Sequence, residues 1–258
     1  MHQPPPAALH VEWGPAAART SAAAYDVAVV VDVLSFTTTL SVALDRGIEV
    51  LPYRWADQSA ADFAAQHEAV LAVGRSRAQP GQVSLSPLTV RAAEPELARV
   101  VLPSPNGATT AHLLGEVVGC VLAACLRNAE AVAAWLTQQH GADGARVLVV
   151  AAGERWPGGR LRPAVEDLWG AGALIAGLHR RGWVSVSVDA AVAADAYDSV
   201  HRGHGGHGGL EQALRGCTSG RELTAMGFGG DVDVACEVAT SAVVPTLAGV
   251  AFRDARYS

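Results

Sequence analysis

Residues able to hold an anion or a metal ion lie at and just after the end of the first strongly apolar run of the chain, Asp26 to Val33. Asp32 lies near the end of this run, and the hydroxyls of Ser35, Thr37 and Thr38 follow shortly after. Open α/β sheets place ligands at the carboxyl ends of buried strands, and the free N–H groups of a helix start bind phosphate or sulfonate. The spacing therefore predicts that Asp32 ligates a metal ion through oxygen, as Mg²⁺ prefers, and that the three hydroxyls bind an anionic substrate. The simpler alternative is that Asp32 ends the strand and the hydroxyls cap a helix.

A second strand-to-helix junction carries Asn106 and Gly107, in the run PSPNGATT. An Asn-Gly pair favours a tight turn with a positive φ angle, and the Asn106 side chain offers both a hydrogen-bond donor and an acceptor. A well-formed turn alone would explain this pair. Because two such junctions occur in one chain, the sequence also predicts a shared anion pocket to which Asn106 and Gly107 contribute.

Two adjacent acids, Glu166 and Asp167, begin a predicted helix. One acid is enough to interact favourably with the helix dipole, so the second indicates a further role. Gly170 and Gly172 each cost the helix about 1 kcal/mol, and their presence predicts close packing against the sheet. Held there, Glu166 and Asp167 would join Asp32 as ligands of a Mg²⁺ ion whose shell substrate oxygens complete. A carboxylate upstream in the chain, at position 154, is a further candidate.

An arginine and a histidine-rich stretch are the remaining candidates. Arg221 stands near the start of a short predicted helix, where the dipole disfavours a cation. This placement favours a specific anion partner, and an exposed ion pair with Glu222 is the alternative. His201, His204 and His207 lie among glycines that prescribe no ligand geometry, so a surface loop is favoured over a metal-storage site.

Strand and helix patterns alternate along the chain and predict an α/β fold, a layered sheet with helices on both faces. The predicted strands cover residues 26–33, 48–53, 70–73, 100–102, 117–124, 146–152 and 243–252. The predicted helices cover residues 40–46, 57–66, 108–114, 128–140, 165–181, 190–200 and 219–226. Residues 75–95 are predicted as a loop. No linker divides residues 1–258, so one domain is expected, with two lobes as the alternative.

Composition excludes some classes of partner. A net charge of −6 argues against nucleic acid, whose binders carry a basic surface. No apolar run approaches the roughly 20 residues that span a bilayer, so no membrane partner is expected. The four cysteines show no metal-binding spacing and no secretory signal precedes them, which predicts reduced thiols in a cytoplasmic protein. Charged residues make up only 17%, below the usual quarter, and this deficit indicates extra buried surface such as a homodimer interface.

Taken in order, these motifs resemble those of the 2-phosphosulfolactate phosphatase (ComB-like) family. The resemblance covers about residues 25–252 and rests on VVVDVLSFTTTL (29–40), Ser86-Pro87, PNGAT (105–109), RPAVEDLWGAGAL (162–174) and SGREL with the following GF and DV. It implies Mg²⁺-dependent hydrolysis of a small anionic phosphorylated substrate, a phosphate ester on a sulfonated three-carbon acid. It also implies a site core composed of Asp32, Asn106, Glu166 and Asp167, with Arg221 as an anion contact.

The chain departs from the family pattern at two positions that usually carry charge. The family usually has an arginine where this chain has Ser35, and a Gly-Glu-Arg stretch where this chain reads Gly74-Arg75-Ser76. Such losses would alter the substrate or abolish catalysis. We hypothesise that Arg75 and Arg77 supply part of the lost positive charge. Two functions stay open: a Mg²⁺-dependent phosphatase, and a catalytically altered anion-binding protein on the same fold.

Overall fold

A nine-stranded sheet forms the centre of the computed structural model, which describes residues 8–54, 57–203 and 209–257. Its strands are β1 (Leu9–Trp13), β2 (Val27–Val31), β3 (Glu49–Tyr53), β4 (Val70–Leu71), β5 (Arg99–Pro103), β6 (Cys120–Ala124), β7 (Val147–Ala151), β10 (Pro245–Ala248) and β11 (Ala251–Asp254). A separate antiparallel pair follows β7 and consists of β8 (Glu154–Arg155) and β9 (Leu161–Arg162).

Eleven helices are found among the described residues. They are α1 (Gly14–Thr20), α2 (Phe36–Asp45), α3 (Gln58–Gln66), α4 (Pro87–Arg91), α5 (Gly107–Gly115), α6 (Ala129–His140), α7 (Val165–His179), α8 (Val188–His201), α9 (Leu210–Gly216), α10 (Thr218–Ala225) and α11 (Gly229–Ala235). None of these helices has both the length and the apolar character needed to cross a membrane.

The sheet consists of two parallel halves joined by an antiparallel hairpin. The strand order is β1-β7-β2-β6-β10-β11-β3-β5-β4. Neighbours are parallel within β1-β7-β2-β6 and within β3-β5-β4. By contrast, β10 and β11 pair antiparallel with each other and with β6 and β3. Because three successive antiparallel pairings separate β6 from β3, the two halves run in opposite directions. The strands that precede the two predicted junctions, β2 and β5, are therefore antiparallel to each other.

The central strand β2 is covered on both sides. All five residues of Val27–Val31 are fully buried. Its three odd-numbered valines belong to an apolar cluster that includes side chains of α6, α7 and α8, whereas Ala28 and Val30 belong to a second cluster with side chains of α2 and α5. A strand buried on both faces needs no polar alternation, which explains the continuous apolar run in the sequence. The predicted α/β fold with helices on both faces is confirmed.

Helix α7, which carries the two adjacent acids, packs closely because of its glycines. A Cβ atom at Gly170 would lie 2.6 Å from Val33 Cγ2 and 2.7 Å from Val31 Cγ1. At Gly172 a Cβ atom would lie 2.0 Å from the backbone oxygen of Ala193 in α8. The close packing predicted from these glycines is confirmed, and it presses α7 against both the end of β2 and α8.

The structure contains elements that were not predicted, among them β1, α1, the β8–β9 pair, α9 and α11, and it differs from the prediction in three further segments. Residues 243–252, predicted as one strand, form much of the β10–β11 hairpin, which turns at Gly249 with a φ angle of +62°. Residues 75–95, predicted as a loop, contain a 3-10 turn (Arg75–Arg77) and α4, because Pro87 supplies the backbone angle that a helix start requires. Neither Asn106 nor Gly107 has a positive φ angle, since α5 begins at Gly107 itself.

Candidate active site

Asp32 follows β2, and backbone N–H groups of both predicted junctions hold its side chain. Oδ1 accepts a hydrogen bond from the N–H of Phe36 at 3.2 Å, where α2 begins. Oδ2 accepts one from the N–H of Gly107 at 2.8 Å, where α5 begins. Burial raises the pKa of Asp32 to about 6, although both hydrogen bonds act in the opposite direction. The structure therefore brings the two junctions together at one carboxylate.

Glycine is required at position 107 by this contact. A Cβ atom there would lie 2.5 Å from Asp32 Oδ2 and 2.6 Å from Phe36 Cδ1. Both neighbouring side chains are buried and have little room to move aside. Only glycine lets the first N–H of α5 approach the carboxylate this closely.

Asp167 connects three elements through its side chain. Oδ1 accepts a hydrogen bond from the N–H of Val33 at 2.7 Å, and Oδ2 accepts one from the N–H of Gly153 at 2.8 Å. Burial raises its pKa well above the usual value, and the charges of Asp32 and Glu166 act in the same direction. Because both oxygens accept backbone hydrogen bonds, Asp167 joins the loops after β2 and β7 to the start of α7.

Glu166 is buried among other acids at the start of α7. Only 2% of the residue is exposed, and its charge raises the pKa values of Asp32, Glu154 and Asp167. Cys217 lies beside it, and burial followed by the charge of Glu166 raises the pKa of this thiol to about 12. Cys217 is therefore a neutral thiol near pH 7 and a poor nucleophile.

Asn106 links the second junction to β8. Its Nδ2 donates a hydrogen bond to Glu154 Oε2 at 2.8 Å, and its Oδ1 accepts one from Arg155 Nε at 3.1 Å. Burial raises the pKa of Glu154 to about 7, and the charges of Asp32 and Glu166 act in the same direction. Glu154 can therefore hold or release a proton near neutral pH. The sequence offered Glu154 as a further candidate carboxylate, and the structure places it beside the buried acids of the site.

Arg75 reaches Ser35 from the 3-10 turn. Its Nη2 donates hydrogen bonds to Ser35 Oγ at 2.5 Å and to the backbone oxygen of Leu85 at 3.0 Å. Its Nε donates to Asp231 Oδ2 at 3.0 Å, and Ser86 donates to the other oxygen of Asp231. The structure thus places a guanidinium beside the position at which the sequence lacks an arginine. Asp231 belongs to the DV pair that follows GF in the family resemblance, but the sequence predicted no role for it.

A cleft of about 360 Å³ opens beside these residues. The charged residues of its lining are Arg75, Glu154, Arg155, Arg162 and Glu222. Asp32 and Glu166 are buried next to this lining and interact electrostatically with Glu154. A larger cleft of about 450 Å³ lies near the end of β3 and the start of β6, but Glu116 is the one acid in its lining. The clustered carboxylates favour the smaller cleft as the reactive one.

Three residues predicted to bind the substrate are engaged elsewhere. Thr37 Oγ1 donates a hydrogen bond to the backbone oxygen of Asp32 at 2.7 Å and accepts one from its N–H at 3.0 Å. Thr38 Oγ1 donates to the backbone oxygen of Val33 at 2.7 Å. Arg221 is exposed and donates to a backbone oxygen at the end of α9. The structure brings none of these groups to the cleft lining, and the two threonines brace the turn that carries Asp32.

The donor set at this site fits Mg²⁺ when water and substrate complete the shell. Burial is the main cause of the raised pKa values of Asp32 and Glu154, and a cation among Asp32, Glu154 and Glu166 would offset the added repulsion between the carboxylates. Across the described ranges, however, no three His, Cys, Asp or Glu side chains converge closely enough to hold a metal by themselves. Mg²⁺ commonly uses one or two carboxylates together with water and phosphate oxygens, so the residues present suit that arrangement. His204 and His207 lie outside the described residues.

Comparisons with known proteins agree with this chemistry. The family model described as 2-phosphosulpholactate phosphatase matches residues 15–249. A protein of Deinococcus radiodurans named a probable 2-phosphosulfolactate phosphatase is 32% identical over 225 residues, which cover 86% of this chain and 88% of that protein. A protein of the same name from Thermus thermophilus is 31% identical over 226 residues, which cover 87% and 89% of the two chains. The chain therefore belongs to the 2-phosphosulpholactate phosphatase family and is a phosphatase that hydrolyses phosphoric monoesters.

Proposed function

We propose that this phosphatase hydrolyses 2-phosphosulfolactate, or a closely related small phosphorylated acid, in a Mg²⁺-dependent reaction. The names of both relatives support this substrate class. The observation that carries the proposal is the cleft itself, because its lining combines arginines with Glu154 and adjoins the buried Asp32 and Glu166. Such a surface suits a substrate with two anionic groups together with a divalent cation.

Asp32 and Glu166 would hold the Mg²⁺ ion. When bound, Mg²⁺ offsets charge on phosphoryl oxygens and lowers the pKa of water. Asp167, predicted from the sequence as a third ligand, we assign to positioning, because both of its oxygens accept short hydrogen bonds, at 2.7 and 2.8 Å, whereas Asp32 Oδ1 accepts a longer one at 3.2 Å and is freer to contact a cation. Its removal would loosen the loops after β2 and β7 that carry the reactive groups.

Water is the nucleophile in this proposal, and Glu154 handles the proton. Cys217, the thiol beside Glu166, is a poor nucleophile, because its high pKa keeps it neutral. Burial, the largest cause of the raised pKa of Glu154, does not depend on the metal, so Glu154 can keep a proton to donate to the leaving oxygen when Mg²⁺ is bound. Asn106, fixed from the other side by Arg155, orients the Glu154 carboxyl.

The test is release of inorganic phosphate from a panel of small phosphorylated acids that includes 2-phosphosulfolactate, in Mg²⁺ and in EDTA. We expect turnover that EDTA abolishes and that Asp32→Asn lowers by about 100-fold or more. Asp195→Asn is the matched control, since Asp195 is an exposed acid on α8 away from the cleft lining. Full Mg²⁺-dependent activity in Asp32→Asn would exclude the proposed ligand role.

A folded protein that hydrolyses nothing on the panel would instead favour the anion-binding alternative. A thermal melt with sulfate or phosphate distinguishes that case, because a ligand bound to the native state raises the midpoint by mass action. A midpoint shift without turnover would support binding alone.

A further inference from the structure

Three arginines line the cleft, and in two of them each terminal nitrogen already donates a hydrogen bond to the protein. Arg155 donates from Nε to Asn106, from Nη1 to the backbone oxygen of Gly159 and from Nη2 to that of Pro105. Both terminal nitrogens of Arg162 donate to the carboxylate of Glu222, at 3.0 and 2.9 Å. Their charges add to the field of the cleft, and both terminal nitrogens of each already have a protein acceptor.

Arg75 differs because one of its terminal nitrogens is unused. Nε and Nη2 are bound to Asp231, Ser35 and Leu85, whereas Nη1 donates to no acceptor among the described residues. Its side chain is 18% exposed and belongs to the cleft lining. An arginine presents five N–H donors in a fixed planar arrangement, so fixing one edge also fixes the direction of the other.

The fixed edge rests on a buried acid. Asp231 is 1% exposed, and its two oxygens accept hydrogen bonds from Arg75 and Ser86. Phe228 lies 6.0 Å from the Arg75 guanidinium carbon, measured to the ring centroid, and restricts the guanidinium further. A side chain held in this way loses little conformational freedom when an anion binds.

We propose that Arg75 is a substrate-binding residue of this cleft, with Nη1 contacting an anionic oxygen of the substrate and the Asp231–Ser86 pair positioning the guanidinium. The proposal rests on the proposed function for the identity of the substrate. The geometry fits either the phosphoryl group or the second acid group of a phosphorylated acid, because both present anionic oxygens to N–H donors.

Two Arg75 variants separate binding from folding. Arg75→Gln alone leaves Asp231 as a buried unpaired acid, which can destabilise the fold. Arg75→Gln combined with Asp231→Asn removes the charge pair as a unit and avoids that penalty. Arg77→Ala is the matched control: the sequence grouped Arg77 with Arg75, but the structure leaves Arg77 exposed on the same 3-10 turn and outside the cleft lining.

Kinetics are measured on a phosphorylated acid that bears a second acid group and on a phosphate ester that lacks one. We expect the folded double variant to raise KM by about 10- to 100-fold with a smaller change in kcat, while Arg77→Ala stays near the wild-type KM. An effect confined to the two-acid substrate assigns the second acid group to Arg75, and an equal effect on both substrates assigns the phosphoryl group. An unchanged KM on both substrates overturns the proposal.

Sulfate binding gives a readout that does not depend on turnover. Isothermal titration of the wild-type protein and the folded double variant with sulfate is expected to show a loss of affinity of about tenfold or more in the variant. If the wild-type protein hydrolyses nothing but its sulfate binding depends on Arg75, the proposed function fails while this inference stands. Equal sulfate affinity in both proteins overturns the inference.

Discussion

Replacement of Gly107 by alanine tests the contact that joins the two junctions. Gly107 is the first residue of α5, and its N–H donates to Asp32 at 2.8 Å. The new methyl group would begin 2.5 Å from Asp32 Oδ2 and 2.6 Å from the ring of Phe36. Contacts under 3 Å to two buried side chains require that Asp32, Phe36 or the start of α5 moves.

Two effects of this substitution have opposite signs. Alanine has a higher helix propensity than glycine, which favours the variant by at most about 1 kcal/mol. Overpacking of a buried site costs about 1–3 kcal/mol, and the displaced hydrogen bond to a charged group is worth about 1.5–3 kcal/mol. The destabilising terms are larger, so we expect the free energy of unfolding to fall by about 3 kcal/mol.

The rate of phosphate release should fall as well, by about 100-fold, since displacement of a reactive group by about 1 Å can cost that much. Urea unfolding and phosphate release measure the two quantities. Gly216→Ala is the matched control, because Gly216 also lies in a helix and a Cβ atom there would meet nothing within 4 Å. A Gly107→Ala protein as stable and as active as the Gly216→Ala control would refute the close-packing argument.

Two further predictions concern charged groups. The folded-state pKa of Glu154 is raised from 4.5 to about 7, so between these pH values the folded protein binds a proton that the unfolded chain has lost, and the free energy of unfolding falls as the pH rises. Glu154→Gln should weaken that fall between about pH 5 and about pH 8, measured by urea unfolding in EDTA. The same pH dependence of the free energy of unfolding in the variant and the wild-type protein would contradict this prediction. Arg127, whose side chain is 5% exposed, donates hydrogen bonds to Asp45 at 2.8 Å and to Glu237. Arg127→Ala leaves these two partly buried carboxylates without that partner and should lower the free energy of unfolding by about 2 kcal/mol. An unchanged urea midpoint would exclude this prediction.

Local pattern was sufficient to predict most of the elements. The run around Val27–Val31 had the composition of a strand buried on both faces, and it is one. The helix predicted over residues 57–66 is α3, and the side chain of Asp57 accepts the N–H of Ser59 at 3.0 Å at its start. The relative direction of the two sheet halves could not be predicted, because both halves produce the same alternation of strands and helices. Their direction depends on the pairing of β10 and β11 with strands far away in the chain.

The sequence singled out Asp32, Glu166 and Asp167, which the structure brings close together, but it did not predict which groups donate hydrogen bonds in the candidate site. Asp32 and Asn106 stood out because they follow strands, and the structure brings their surroundings together. The direction of a hydroxyl depends on the turn around it, so the use of Thr37 and Thr38 by the backbone could not be read from their spacing. The contact between Arg75 and Asp231 joins positions 156 residues apart, and no local pattern encodes such a pair.

The order in which the strands are synthesised bears on how the chain folds. Both parallel halves are complete in the sequence before the β10–β11 hairpin, yet only this hairpin connects β6 to β3 across the sheet. During translation both halves are therefore synthesised before the β10–β11 hairpin that joins them. Until it forms, β6 and β3 are open edge strands able to pair with another chain. Closure needs contacts between distant positions, which makes folding slow. The β10–β11 hairpin thus completes the sheet, and because it is synthesised after both halves, nascent chains are exposed to aggregation until it pairs.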